Sequence, residues 1–216
     1  MAFGPEVLLS RVMLLIPLLM SLTVHEFFHA WTAWRLGDDT AARMGRLTLN
    51  PVAHIDPFGT LLLPLLGVPF GWAKPVPVQP SRFRKGISMS AGDILVSAAG
   101  PLSNLGLAVA CTLVFVALHR FLPSAIAPGT GVDRLLDNLV LVNVALAVFN
   151  FLPIPPLDGG HVAANLVPYR WRGAWDRFAA IAPFVLLGIV FFGRGIMSVP
   201  IGIGYDLLSR LAAALT

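Results

Sequence analysis

The stretch Val24-His25-Glu26-Phe27-Phe28-His29-Ala30 lies inside an apolar run from Val7 to Leu36, and that placement decides both fold and chemistry. On a helix, positions i and i+4 share a face with Cβ atoms about 5–6 Å apart, so His25 and His29 can reach one metal ion. Glu26 stands beside them, able to take a proton from a metal-activated water. The chain has only two glutamates, Glu6 and Glu26. A pattern of three fixed letters arises by chance at roughly the per-cent level in a chain of this length. Ionisable groups in a membrane helix are costly unless compensated, however, and mark functional sites.

The run exceeds the roughly 20 residues needed to span a bilayer, and Gly37-Asp38-Asp39 stops it. Of the 216 residues, 56% are hydrophobic and 12% charged, against about a quarter charged in soluble domains. Together with a mean hydropathy of +0.79, this predicts an all-α polytopic membrane protein. The length allows one membrane-embedded domain over residues 1–216 and no separate soluble docking module. The formal charge of +4 is scattered through loops, which fits lipid headgroups and excludes a nucleic-acid surface. Cys111 is the sole cysteine, so no intramolecular disulfide forms, and it reads as packing. Arg11 before an apolar run superficially suggests a signal peptide, but the run continues into the histidines without a small-residue cleavage site.

Outward from this helix, residues 41–57 are polar and turn-rich, a loop or short strand pair. Residues 58–70 are apolar but short and broken by Pro64, Gly67 and Pro69, predicting a re-entrant or broken helix. Residues 71–80 alternate proline with valine and predict an extended edge or hairpin. Met89 to Leu118 reads as a second long helix kinked at Gly100-Pro101, Leu135 to Leu152 as a third span, and Phe178 to Val199 as a fourth. Ile201 to Leu215 is a short amphipathic candidate for the interface. The core is thus about 7–161, with additional helices about 178–215. Counting Lys and Arg, ten fall on the side holding residues 35–89 and 159–177 and five on the other, which assigns the first side to the cytoplasm.

A catalytic zinc needs three protein ligands and an open position. Asp158 is the leading third candidate: prolines 153, 155 and 156 end the preceding helix, and Gly159-Gly160 allows close backbone approach. An aspartate before two glycines is also a common turn residue. Depth favours the ligand reading, since His29 lies about 10 Å below the end of the first helix at 1.5 Å per residue, and Asp158 follows a helix returning to that face. His161 is the alternative third ligand.

Four motifs then resemble the site-2 protease family of intramembrane metalloproteases: HEFFHA from His25, NPVAHIDP from Asn50, AGPLSN from Ala99 and NFLPIPPLDGG from Asn150. The match runs from about residue 20 to 161. The resemblance implies one zinc held by His25, His29 and Asp158, with Glu26 as general base and then general acid. It also implies a three-helix core. Asn150 would hold the scissile peptide or stabilise the oxyanion, the bland alternative being a capping or interhelical amide. His54 would be an oxyanion donor or supporting group, or simply a loop histidine bonded to backbone. Gly100 and Asn104 read as close packing and an interhelical hydrogen bond, not as metal groups. Phe28 departs from the family's small residue at that position.

The expected function is regulated intramembrane proteolysis of transmembrane or membrane-anchored substrates at the cell membrane, with the active site toward the cytoplasm. The alternative is a non-proteolytic zinc-binding protein or metal transporter, which would need ligands at several depths. A substrate helix hides its carbonyls, so it must unwind, and the 71–80 stretch is expected to hold it as an added strand. Oligomeric state is not readable from the residues.

Overall fold

The first apolar run forms α1 (Pro5–Leu36) in the computed structural model, which describes residues 4–68 and 71–216. The helix ends at Gly37, whose φ of 112° lets its N–H and that of Asp38 turn back onto the Trp34 and Ala33 carbonyls. Beyond it the described residues form seven more helices and no strand: α2 (Thr40–Arg43), α3 (Leu63–Leu65), α4 (Met89–Phe121), α5 (Gly131–Asn150), α6 (Asp158–Leu166), α7 (Arg172–Phe192) and α8 (Arg194–Leu215). The all-α expectation holds.

Residues 41–57, read as a loop or strand pair, instead make helical turns. Asn50 Oδ1 accepts the Val52 N–H to start the 3-10 turn Pro51–Ala53. Asp56 Oδ1 accepts from Phe58 and Gly59, opening a π-helical turn, Pro57–Leu62, that runs into α3. A short acidic or amide side chain before proline supplies the acceptor that an exposed helical start needs. The 58–70 segment is therefore a broken helix as far as residue 68, and residues 69 and 70 lie outside the described part.

Residues 71–79 have no regular secondary structure, and no strand lies beside them among the described residues. Pro75 and Pro77 have no N–H to give a ladder. The segment is held as a strap: Lys74 N–H donates to the His54 carbonyl at 2.9 Å, Gln79 N–H to Asp38 Oδ2 at 2.6 Å, and the buried Arg46 guanidinium to the Lys74 carbonyl. Arg84 N–H closes onto Leu36 O at the end of α1 at 2.8 Å.

Arg11–Leu36, Met89–Phe121 and Tyr169–Phe192 are long and apolar enough to cross a membrane. α5, the expected third span, begins four residues earlier than Leu135, with Asp133, Arg134 and Asp137 in its opening turns. It is packed against α1, α4 and α8. The expected fourth span, Phe178 to Val199, is divided: α7 starts at Arg172 and stops at Gly193, and the 201–215 segment is the latter part of α8. α8 seats Ile201, Tyr205 and Leu208 on the cluster around Ala108, Leu139 and Val144.

α1, α4 and α5 pack on one another, with α6 lying on α4. Ser21, Asn104 and Asn143, one from each helix, are wholly buried where these three meet.

Candidate metal centre

His25 and His29 project from α1 toward α4, both less than 9% exposed. Their Nε2 atoms stand 3.0 Å apart. Asp158, the first residue of α6, faces them: Oδ2 is 3.1 Å from His25 Nε2 and Oδ1 is 3.3 Å from His29 Nε2. Tetrahedral coordination at about 2.0–2.1 Å from each ligand implies edges of about 3.3 Å, so the triangle has the size of one face of a zinc site.

Asp158 reaches that place because the chain doubles back tightly after α5. A Cβ on Gly159 would meet the Phe151 and Leu152 carbonyl oxygens at 2.4 Å, and one on Gly160 the Pro155 nitrogen at 2.6 Å. Only glycine at both positions lets α6 start against the turn that ends α5.

The hydrogen bonds behind the rings decide what the triangle can bind. His29 Nδ1–H donates to the Val96 carbonyl at 2.7 Å, and His25 Nδ1–H to Asn104 Oδ1 at 2.6 Å. A neutral imidazole with its proton on Nδ1 presents a lone pair at Nε2. Asp158 Oδ2 accordingly finds no hydrogen-bond donor although it is buried and 3.1 Å from His25 Nε2. Two nitrogen lone pairs and a carboxylate in van der Waals contact repel one another unless a cation lies among them. The donor set, two imidazoles and one carboxylate with no thiolate, suits zinc.

Gly100 forms the floor. A Cβ there would stand 2.3 Å from His29 Nε2 and 2.6 Å from His25 Nε2. Val96, Gly100 and Asn104 are spaced by four, so one face of α4 supplies a carbonyl, a space and an amide to the two rings. Close packing at Gly100 and an interhelical hydrogen bond at Asn104 were expected; that both would fall on the two imidazoles was not. The signal was present in the i, i+4, i+8 spacing, but the register of α4 against α1 was not.

Glu26, 8% exposed, lies on the same cavity wall as the triad. Its Oε2 accepts the Val76 N–H of the strap at 2.9 Å. Asn150 also lines the cavity, with Nδ2 donating to Leu146 O within its own helix. His54 is 2% exposed and does not line it: its Nε2–H donates to Thr48 O at 2.9 Å, and its carbonyl holds the strap. His161 borders the cavity but stands outside the metal-ligand cluster. Phe28 points away from the site, its ring edge-on to Phe27 and Trp31.

A histidine pair and a carboxylate at metal-binding distance, a glutamate beside them and apolar helices around them define the class of membrane-embedded metallohydrolases. Comparison with known proteins narrows the class. The family described as Peptidase family M50 matches residues 118–193. The Bacillus subtilis (strain 168) protein named "Putative zinc metalloprotease YwhC" is 39% identical over 205 residues, 94% of this chain and 91% of its own. Proteins named "Putative zinc metalloprotease Rip2" are 37% identical in Mycobacterium tuberculosis over 83% of this chain and 64% of their own. The Mycolicibacterium smegmatis protein of that name is 35% identical over 71% and 57%. The chain thus spans less than two thirds of the Rip2 relatives. No solved structure matches it significantly. The chain belongs to peptidase family M50, the site-2 protease family of membrane-embedded zinc metalloproteases.

Proposed function

We propose that this protein cleaves peptide bonds of transmembrane or membrane-anchored proteins at the cytoplasmic side of the cell membrane, as the proteolytic step of a regulated release. The carrying observation is the closure of His25, His29 and Asp158 into a triangle with 3.0–3.3 Å edges, beside Glu26, on an apolar cavity. In this reading the three residues hold one zinc, and residues 1–216 work as one membrane-embedded catalytic unit. Zinc bound there supplies Lewis acidity, bringing the pKa of water toward 7 and polarising a carbonyl.

The residues of the chain do the rest. Glu26 takes a proton from the attacking water, the new C–O bond forms at the peptide carbon, and the C–N bond breaks as Glu26 returns the proton to the departing amine. For this, Glu26 Oε2 must exchange the Val76 N–H for water. Asn150 reaches into the cavity as an amide that can hold the scissile peptide, and His54 serves by anchoring the strap. The cavity of about 1630 Å³ exceeds the roughly 300–1,000 Å³ of small-molecule sites and suits a polypeptide. Its walls include Leu18 and Leu22 of α1, Phe149 of α5 and Leu186 of α7, which match an apolar transmembrane segment. The ten-to-five distribution of Lys and Arg supports a mouth on the cytoplasmic side.

The deciding experiment uses purified protein and a membrane-inserted peptide. Glu26→Gln should abolish cleavage while zinc content stays near one per chain. Cleavage that survives this change removes Glu26 from the mechanism, and metal flux across vesicles that survives it favours a transporter.

A further inference from the structure

We infer that Asn143 and Ser21, acting through Asn104, are positioning residues that set which nitrogen of His25 faces the metal. The inference rests on the zinc reading above and extends it to three residues from three helices.

The argument is one of donors and acceptors that have no freedom. Asn104 Nδ2 is 3.2 Å from the Ser21 carbonyl and 2.7 Å from Asn143 Oδ1. A backbone carbonyl only accepts, so the atom facing it must be the NH₂ end, and Oδ1 must face His25 Nδ1. Asn143 is fixed in the same way: its Nδ2 is 2.8 Å from the Leu139 carbonyl and 2.8 Å from Ser21 Oγ. Ser21 Oγ in turn donates to the Pro17 carbonyl at 2.6 Å, which leaves it an acceptor for Asn143. Every amide and hydroxyl hydrogen of the three side chains is used, and three carbonyls that cannot donate anchor the polarity. The last acceptor in the chain, Asn104 Oδ1, demands a hydrogen on His25 Nδ1.

Ser21, Asn104 and Asn143 are all 0% exposed. No water competes for their bonds, and reversing either amide would set donor against donor or acceptor against acceptor in a buried site. In the neutral ring, Nδ1 carries the hydrogen and His25 Nε2 is the nitrogen left with a lone pair for the metal. Asn143 belongs to none of the motifs that mark the active site, and its partners lie on α1 and α4 as well as its own helix.

The test compares Asn104→Leu and Asn104→Asp in apoprotein, reading zinc affinity by competition with a chromophoric chelator and stability by thermal unfolding. Both variants lose the donors to Ser21 O and Asn143 Oδ1, so both should melt lower. Only leucine lacks the acceptor for His25 Nδ1–H. Zinc affinity should fall about 10–100-fold in Asn104→Leu, the range for losing such a ligand-orienting partner, and stay within a few-fold of wild type in Asn104→Asp. Asn143→Ala, which removes one of two anchors on Asn104, should fall between them. Affinity that tracks melting temperature equally in both Asn104 variants, or leucine at wild-type affinity, overturns the inference. If Asn104→Leu does not fold, an aspartate variant that loses zinc in step with its stability overturns it alone. Wild-type protein that binds no zinc would instead sink the metal reading itself.

Discussion

Asp158 and Gly100 both lie against the Nε2 atoms of the imidazole pair, and each carries a prediction. Asp158→Ala leaves two ligands, and zinc affinity should fall by more than about 100-fold, beyond the loss typical of an orienting partner. Equilibrium dialysis followed by metal analysis checks it. Gly100→Ala places a methyl carbon 2.3 Å from His29 Nε2. Alanine is the better helix former by about 1 kcal/mol, so α4 should remain helical by circular dichroism while zinc content drops sharply. Zinc retained in Gly100→Ala would mean that the two helices can part at no great cost. The histidines and Glu26 were readable from their spacing alone, because i and i+4 on one helix is a local relation. Gly100 was not, because its importance comes from what lies across from it.

Among the elements, the strap 71–79 is the one that hydrogen-bonds Glu26. Lys74 and Gln79 are tied to the protein body, and Val76 N–H sits on Glu26. Pro75 and Pro77 offer carbonyls and no N–H, so of residues 75–78 only Val76 and Val78 have an N–H, and Val76 already gives its own to Glu26. Val78→Pro leaves the Val76 bond in place and should lower kcat/KM for a membrane peptide with zinc content unchanged. Equal cleavage by wild type and variant would dismiss strand addition. Asp38, wholly buried, accepts the Thr40 N–H and hydroxyl at the start of α2 and the Gln79 N–H at the end of the strap. Asp38→Ala should cost about 2–3 kcal/mol, the scale of hydrogen bonds to a charged acceptor, read as a shift in denaturant midpoint in detergent. That 71–79 would not be helical was legible from its prolines. That it has no partner strand was not, since pairing depends on which other segment arrives beside it.

For the whole molecule, orientation is the open quantity with a direct measurement. Cys111 is the sole cysteine and is buried in α4, so single cysteines report cleanly. Arg172→Cys should react with a membrane-impermeant maleimide from the cytoplasmic face, and Ser124→Cys, in the turn between α4 and α5, from the other face. The reverse pattern would place the active site outside. α7 packs chiefly on α8, and the large cavity lies between these helices and the α1, α4, α5 core. Its width depends on helices that meet the core over a small area.

The residues by themselves determined a helical membrane chain and a helix face that carries His25 and His29 one turn apart with Glu26 beside them. These follow from composition and helical period, which are properties of neighbours in the chain. The sequence offered Asp158 as the leading third ligand and His161 as the alternative, and tertiary structure brought Asp158, 129 residues beyond His29, to the two imidazoles. Tertiary structure also decided that α4 presents Val96, Gly100 and Asn104 to the rings, and that Asn143 completes the hydrogen-bond chain behind His25. Each of those contacts exists only once helices distant in sequence have packed in one register, and no local spacing encodes that register.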